Sequence, residues 1–142
     1  MNENTNDLMK KLESTDTSEG LASYLEEIRD KYPSDFKSFM EVILKERNMT
    51  IADVQRKSGI DRNYIYQIMD GRKNPGRDKI IAIAIACQMD LAECQRALEI
   101  TNEGILYPKS RRDSIIIFAI NNKLSVMDLN GLLEEYKVPI LD

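Results

Sequence analysis

The sequence contains no histidine. Without an imidazole the chain cannot build a Ser-His-Asp or Cys-His catalytic site, a histidine proton shuttle or a histidine metal ligand. The six glycines are scattered and form no phosphate-binding loop. We therefore expect no enzyme, no catalytic residues, no metal and no cofactor, although chemistry that uses carboxylates alone stays open.

Cysteines and long apolar runs are also scarce. Cys87 and Cys94 are the two cysteines, too few for a four-ligand zinc site in a chain without histidine. Free cysteine behaves as a small apolar side chain, so we expect both to be buried and unlinked. No apolar run reaches the roughly 18–20 residues that a membrane span requires, and the polar, acidic N-terminus does not resemble a signal peptide. These features predict a cytoplasmic protein with no membrane partner.

The charge is unevenly distributed along the chain. The whole sequence has 20 Lys and Arg against 24 Asp and Glu, a net charge of −4. The segment from Lys45 to Lys79 has the opposite balance, with nine basic against five acidic side chains. Because nucleic-acid binding depends on neutralising phosphates, this locally basic segment is the candidate for a small DNA-binding surface on an acidic body.

Apolar residues recur at helical spacing along most of the chain, which predicts an all-α fold. We expect a frayed arm over residues 1–17, a helix from Ser18 to Lys31 that Ser18 caps, and a break at Tyr32-Pro33. Ser34 is expected to cap the next helix. The predicted organisation is a flexible arm and N-terminal helix over residues 1–33, a helix-turn-helix domain over 34–104 and a C-terminal helix pair over 105–142.

The C-terminal half contains an internal repeat. A shift of 35 residues aligns 77–99 with 112–134 without a gap, and both blocks begin with Arg-Asp-x-Ile-Ile-x-x-Ala-Ile. The expected helix caps Asp90 and Ser125 also coincide. A repeat of this length is typical of a helix pair that packs against a copy of itself, so we expect Ile81 and Ile116 to occupy equivalent buried positions.

The segment from Thr50 to Gly71 carries the functional signal. It predicts two short helices, capped by Thr50 and Asp61 and joined by a turn that begins at Gly59. At about 100° per residue, four polar side chains of the second helix fall within one arc of about 140°: Arg62, Asn63, Tyr66 and Gln67. Guanidinium and amide groups are those that recognise base edges in the major groove, while Tyr64, Ile65 and Ile68 face the other way and can pack.

The segment from about Phe39 to Ile100 resembles the Cro/phage-repressor (XRE-type) helix-turn-helix family. The resemblance is carried by Thr50, Val54, Lys57-Ser58-Gly59-Ile60, Tyr64-Ile65, Ile68, Gly71-Arg72-Lys73 and Pro75. It implies a five-helix repressor-like bundle, an added N-terminal helix and a C-terminal helix pair, with Asp61–Met69 as the recognition helix. It also implies base contacts from Arg62, Asn63, Tyr66 and Gln67, and phosphate contacts from Thr50, Tyr64, Arg72 and Lys73.

Four positions depart from the pattern of that family, two of them as a pair. Ile51 replaces a glutamine that often anchors a phosphate, and Gln55 replaces an alanine that usually packs inside the helix. Leu44 and Met69 replace a buried Arg-Glu ion pair between the first and third helices. This last change is coherent, because packed apolar side chains can replace a buried ion pair without loss of stability.

Two functions follow from these observations. The first is a sequence-specific transcriptional regulator that binds double-stranded DNA as a homodimer through its C-terminal helices. The second is a helix-turn-helix fold that binds a protein partner instead of DNA, which the acidic composition and Ile51 favour. The flanks resemble a narrower group of XRE-type proteins with a helical N-terminal extension and a C-terminal helix pair introduced by Leu106-Tyr107-Pro108, a match that concerns architecture.

Overall fold

The computed structural model describes residues 5–31 and 33–142. These residues form nine α-helices and no strand, which confirms the all-α fold class. The helices are α1 (Thr5–Glu13), α2 (Ser18–Lys31), α3 (Phe36–Arg47), α4 (Ile51–Ser58), α5 (Arg62–Met69), α6 (Arg77–Ala86), α7 (Leu91–Ile100), α8 (Arg111–Asn121) and α9 (Val126–Glu135). In this part of the chain no helix combines the length and the apolar character that a bilayer span needs.

The chain divides between residues 34 and 35 into two compact units. The first unit contains α1, where the sequence predicts a frayed arm, so that prediction is wrong for Thr5–Glu13. Leu8, Met9 and Leu12 recur at helical spacing, and the Lys11 ammonium lies 3.1 Å from the Glu27 carboxylate of α2. Residues 1–4 of the expected arm, and Tyr32 of the expected break, lie outside the described residues.

The caps of α2 and α3 differ from the predicted ones by one residue each. Ser18 is the first residue of α2, and the Thr17 hydroxyl accepts the amide hydrogen of Gly20. At α3 the carboxylate of Asp35, and not Ser34, accepts the amide hydrogen of Ser38 at 2.8 Å. In both places the residue directly before the helix accepts the amide hydrogen of the residue three positions later, which is the geometry an N-cap requires.

Helices α3 to α9 share one apolar core in the second unit. Every residue of α6 from Ile80 to Ala86 is buried, because α4 packs against one side of this helix and α9 against another. Its partner α7 contacts α3 and α8. The α6–α7 pair is therefore a central layer, with α3 and α4 on one face and α8 and α9 on the other. The boundary expected between residues 104 and 105 stays a prediction.

The two cysteines are free and buried, as predicted. Burial raises the pKa of Cys87 to about 11 and that of Cys94 to about 12. Both thiols are therefore protonated at neutral pH. Since the thiolate is the reactive form of cysteine, they act as core side chains.

The internal repeat is confirmed by local structure. The bounds of α7 and α9 lie 35 residues apart at both ends, and α6 and α8 end 35 residues apart. Left-handed backbone follows each helix at equivalent places, with φ of 53° and 55° at Gln88 and Lys123 and of 57° and 60° at Asn102 and Lys137. The equivalent side chains are also buried together: Ile81 with Ile116, and Ile85 with Ile120.

Reciprocal ion pairs join the two repeats. Arg77 of the first repeat donates to Asp113 of the second at 2.8 and 3.0 Å, while Arg112 of the second donates to Asp78 of the first at 2.8 and 3.1 Å. Each arginine also donates to two backbone carbonyls of the segment that follows its own repeat, at residues 104 and 105 for Arg77 and at residues 139 and 140 for Arg112. A rotation that exchanges the two repeats also exchanges the two ion pairs, so a pseudo-two-fold axis relates the repeats.

We expect Asp113→Ala to lower the free energy of unfolding by about 2–3 kcal/mol, because it removes hydrogen bonds to a charged group. Burial raises the pKa of Asp113, but hydrogen bonds from the Arg77 guanidinium and the Tyr107 amide outweigh it and hold the pKa below its ordinary value. A depressed pKa adds stability above the ordinary pKa, and this contribution disappears as the pH falls through the folded value. Urea unfolding at neutral pH and below about pH 4 checks this.

The control for this measurement is Glu135→Ala, which removes an exposed carboxylate. It should change the free energy of unfolding by less than about 0.5 kcal/mol. The difference between the wild type and Asp113→Ala should shrink on acidification. A difference that stays constant below the ordinary pKa would show that the ionised carboxylate is not what stabilises the fold.

Candidate nucleic-acid interface

The first helix of the predicted motif, α4, is fixed at its start by a capping box. The Thr50 hydroxyl accepts the amide hydrogen of Asp53 at 3.1 Å, and the Asp53 carboxylate accepts the amide hydrogen of Thr50 at 2.9 Å. The amide of Thr50, and then its side chain and Arg56, lower the pKa of Asp53. Gly59 ends the helix in the left-handed region, with φ of 74°. These predictions are confirmed.

The turn between the helices is held by two side chains of α4. The Gln55 amide donates to the Ile60 carbonyl at 3.0 Å, and the buried Ser58 hydroxyl accepts the amide hydrogen of Ile60 at 3.3 Å. Gln55 is therefore a brace for the turn, a role that sequence reasoning missed. The polar pair at positions 55 and 58, directly before a helix-ending glycine, is the signal that could have indicated it.

The second helix, α5, separates its faces as predicted. The Asp61 carboxylate caps it by accepting the amide hydrogen of Tyr64 at 3.2 Å. Ile65, Ile68 and Met69 are buried, with exposed fractions of 0, 1 and 6 %. The opposite face carries four polar side chains, of which the first three are exposed and the last is partly buried: Arg62, Asn63, Tyr66 and Gln67.

One contact orders part of this polar face. The Arg62 guanidinium lies 5.8 Å from the centre of the Tyr66 ring, four residues later. A cation held over an aromatic face at this distance gains electrostatic attraction while it remains accessible. Arg62 and Tyr66 thus form one arranged surface beside Asn63. The structure brings the predicted base-contacting residues together on one helix.

Arg72 and Lys73 lie where the chain turns back at the end of α5. Gly71 adopts φ of 87°, and the amides of Arg72 and Lys73 then both donate to the Gln67 carbonyl, at 3.0 and 3.1 Å. Both side chains are exposed. The two predicted phosphate ligands are therefore anchored through their backbone to the C-terminal end of α5.

An ion pair engages one of these two cations. The Asp70 carboxylate accepts from the Arg72 amide at 3.0 Å and from its Nε at 2.6 Å. Desolvation raises the pKa of Asp70, but these hydrogen bonds outweigh it and lower the pKa. Arg72 thus has an acidic neighbour that sequence reasoning did not include, whereas no side-chain acceptor of the described residues engages Lys73.

The remaining predicted phosphate contacts differ in accessibility. Thr50 is exposed, and because its oxygen accepts the Asp53 amide its hydroxyl hydrogen is left to donate. Tyr64 is partly buried against the core. Ile51, at the position where the family often has glutamine, also packs against the core. Its side chain contributes to stability and offers no polar group to a phosphate.

Leu44 and Met69, which replace the ion pair of the family, lie on α3 and α5, two helices that contact each other. Met69 is buried and Leu44 is partly buried against the same core, and their direct contact stays a prediction. An ion pair that the sequence did not reveal joins α3 to α7, where Arg47 donates to the carboxylate of Glu93. The same Glu93 carboxylate accepts the amide hydrogen of Asp90 in the capping box of α7.

Residues 41–94 match a family model described as helix-turn-helix, of the Cro/C1 (XRE) type. The matched segment begins in α3, contains α4, the turn and α5, and ends in α7. No curated protein and no solved structure matched the chain. The local geometry and the family match agree on the same two helices and turn. The segment from residue 41 to residue 94 therefore belongs to the Cro/C1-type (XRE) helix-turn-helix family.

Proposed function

We propose that this protein is a sequence-specific transcriptional regulator that binds double-stranded DNA in the cytoplasm and carries out no catalysis. The observation that supports it best is the exposed polar face of α5, the second helix of the helix-turn-helix. In this motif the second helix enters the major groove while the first crosses the phosphate backbone. A helix of eight residues with one apolar and one polar face suits that position.

The side chains of the proposed reading face match the chemistry of base edges. The guanidinium of Arg62 can donate two hydrogen bonds to O6 and N7 of guanine. The amides of Asn63 and Gln67 can each pair with N6 and N7 of adenine. The Tyr66 ring restricts the Arg62 side chain, so less conformational freedom is lost on binding.

We assign phosphate contacts to Arg72 and Lys73 after α5, to Thr50 at the start of α4 and to Tyr64 of α5. Lys73 extends from the end of α5 and supplies a full positive charge to the backbone. Arg72 reaches a phosphate only when its ion pair with Asp70 breaks, so its net contribution to DNA affinity is smaller than that of Lys73. The Thr50 hydroxyl and the Tyr64 phenol contribute neutral hydrogen bonds. These contacts set the position of α5 and carry no sequence information.

A single α5 contacts few base pairs, so specific binding calls for two copies on a two-fold related site. Half-sites for such motifs lie about one turn of DNA apart, with centres ~34–36 Å from each other. The C-terminal helices α8 and α9 expose large apolar side chains, among them Phe118 and Met127. We therefore place the contact between two copies in these helices.

A second candidate is a helix-turn-helix that binds another protein. The acidic composition favours it, and so does Ile51, which packs against the core in place of a phosphate anchor. In this reading the exposed face with Arg62 and Tyr66 contacts an acidic protein surface, since arginine and tyrosine are common in protein interfaces. The two readings differ in whether the α5 face selects a DNA sequence.

Single substitutions separate the two kinds of DNA contact. Gln67→Ala should relax the preference at one base pair in each half-site and weaken binding to the best sequence by about 1–3 kcal/mol. Lys73→Ala should weaken binding to all sequences alike. It should also reduce the slope of log affinity against log salt concentration by about one, which corresponds to one phosphate contact. A binding-site selection on the wild type and both variants, followed by titrations on the selected duplex, measures both effects.

The exposed Lys10 of α1, outside the segment from Lys45 to Lys79, provides the matched control for Lys73. Lys10→Ala removes the same charge and should leave both the selected sequence and the salt dependence close to those of the wild type. If Gln67→Ala selects the same sequence as the wild type, α5 is not the reading helix. If the wild type selects no sequence at all, the protein-binding candidate replaces the DNA-binding one.

A further inference from the structure

The turn residue Ile60 connects the first helix of the motif to the second. It is 4 % exposed, and both of its backbone polar groups bind side chains of α4. The Gln55 amide donates to the Ile60 carbonyl at 3.0 Å, and the Ile60 amide donates to the Ser58 hydroxyl at 3.3 Å. Since a peptide group is planar, each of these hydrogen bonds fixes the orientation of a whole peptide unit in the turn.

The two hydrogen bonds act on different peptide units. Ser58 holds the unit between Gly59 and Ile60. Gln55 holds the next unit, which joins Ile60 to Asp61. Asp61 is the N-cap of α5, so this second unit is the one from which α5 starts. Among the described residues no donor other than the Gln55 amide binds the Ile60 carbonyl, so this unit depends on Gln55 for its orientation.

The start of α5 carries the first residues of the proposed reading face. Arg62 and Asn63 are the first two residues of a helix of eight, and both are exposed. The buried residues of α5 lie later in the helix, between positions 65 and 69. A rotation of the peptide unit before the helix therefore moves Arg62 and Asn63 while the rest of α5 stays packed against the core.

Base contacts and phosphate contacts differ in how much displacement they tolerate. A bidentate contact with a base edge needs donor–acceptor distances of about 2.7–3.2 Å and nearly linear geometry at both hydrogen bonds. Lys73 carries its ammonium group on a flexible stem, which can follow a phosphate when α5 shifts. A change at the start of α5 should therefore affect sequence recognition more than general attraction to DNA.

We infer that Gln55 is a positioning residue for base recognition, because it holds the peptide unit from which α5 starts. This inference rests on the proposed function and specifies how the reading helix is oriented. Alanine, which similar helix-turn-helix proteins usually have at this position, is too short to reach the Ile60 carbonyl. Removing the Gln55 amide should therefore weaken binding to the selected sequence and leave binding to random DNA nearly unchanged.

Two substitutions of Gln55 test this role, Gln55→Ala and Gln55→Met. Both remove the donor, and methionine keeps an unbranched side chain of similar length. Each should lower the affinity for the selected duplex at least about tenfold, which corresponds to the loss of one base contact. Each should lower the affinity for a random duplex less than about threefold, because the phosphate contacts remain.

Gln95→Ala on α7 is the matched control. The Gln95 amide donates to the Leu106 carbonyl at 2.8 Å, and its side-chain oxygen accepts the Leu106 amide hydrogen at 2.7 Å. This substitution also removes a glutamine that holds a loop, so it should lower the thermal stability as the Gln55 variants do. Because Gln95 lies outside the motif, both affinities should stay within about threefold of wild type.

Residual dipolar couplings of the ¹⁵N-labelled full chain measure the same role without DNA. In the Gln55 variants the couplings of α5 should no longer fit the wild-type angle to α4, whereas Gln95→Ala should keep that angle. An unchanged α5 in the Gln55 variants, or equal losses of affinity for selected and random DNA, overturns the positioning role. A wild type that selects no sequence overturns the proposed function, and the couplings then still decide whether Gln55 positions α5.

Discussion

Met69→Glu should lower the free energy of unfolding by about 3–5 kcal/mol, because it leaves an unpaired charge in the core. Met69 is 6 % exposed at the end of α5 and shares its core with α3. Leu44→Arg alone should be milder, since Leu44 is only partly buried and an arginine there can extend its guanidinium to solvent. Urea unfolding of each variant measures both effects.

The double variant Leu44→Arg/Met69→Glu tests whether the two positions meet. It recreates the Arg-Glu pair that similar helix-turn-helix proteins carry, so its loss of stability should be smaller than the sum of the single losses by about 1 kcal/mol or more. Pairing Met69→Glu with Arg111→Ala, a distant substitution on α8, is the control and should be additive. Additive losses for the Leu44 pair would show that α3 and α5 do not bring these side chains together.

The affinity for duplex DNA should fall steeply with salt. If a dimer neutralises about six phosphates, its affinity should drop roughly 10³-fold between 50 and 200 mM salt, because bound counterions are released when the complex forms. We expect Lys73 to supply one of these contacts in each copy, and the Asp70–Arg72 ion pair to reduce the share of Arg72. Fluorescence anisotropy of a labelled random duplex at several salt concentrations gives the slope.

Two substitutions sharpen the salt measurement. Asp70→Asn should increase affinity at low salt and steepen the slope, because it frees Arg72 for a phosphate. Glu135→Gln makes the same change of charge on α9 and should leave the slope unchanged. Salt-independent binding by the wild type would show that the basic residues between Lys45 and Lys79 are not a phosphate-binding surface.

Local signals predicted the motif well, because each depends on a few neighbouring residues. Thr50, Asp61 and Gly59 act as caps through hydrogen bonds or backbone freedom that their own side chains determine. The apolar face of α5 followed from the helical period alone. Helix α1 was missed because its polar composition resembles that of a disordered arm. The Lys11–Glu27 ion pair, which joins α1 to α2, exists only when both helices are present.

Features that depend on tertiary placement were not predictable from the sequence. The repeat predicted equivalent helices, but the two-fold relation appears only in the exchange of Arg77–Asp113 with Arg112–Asp78. A repeated sequence carries no sign of the relative orientation of its copies. The Asp70–Arg72 pair was missed for a related reason, because it forms only after Gly71 turns the chain back over the end of α5.

A single titration tests the central claim, that the polar face of α5 binds DNA. Amide chemical shifts of the ¹⁵N-labelled full chain are followed while the duplex obtained by site selection is added at low salt. We expect the largest changes over residues 61–69 and at Arg72 and Lys73, and small changes across α8 and α9. Absent changes, or changes that leave α5 unaffected while another surface responds, would contradict it.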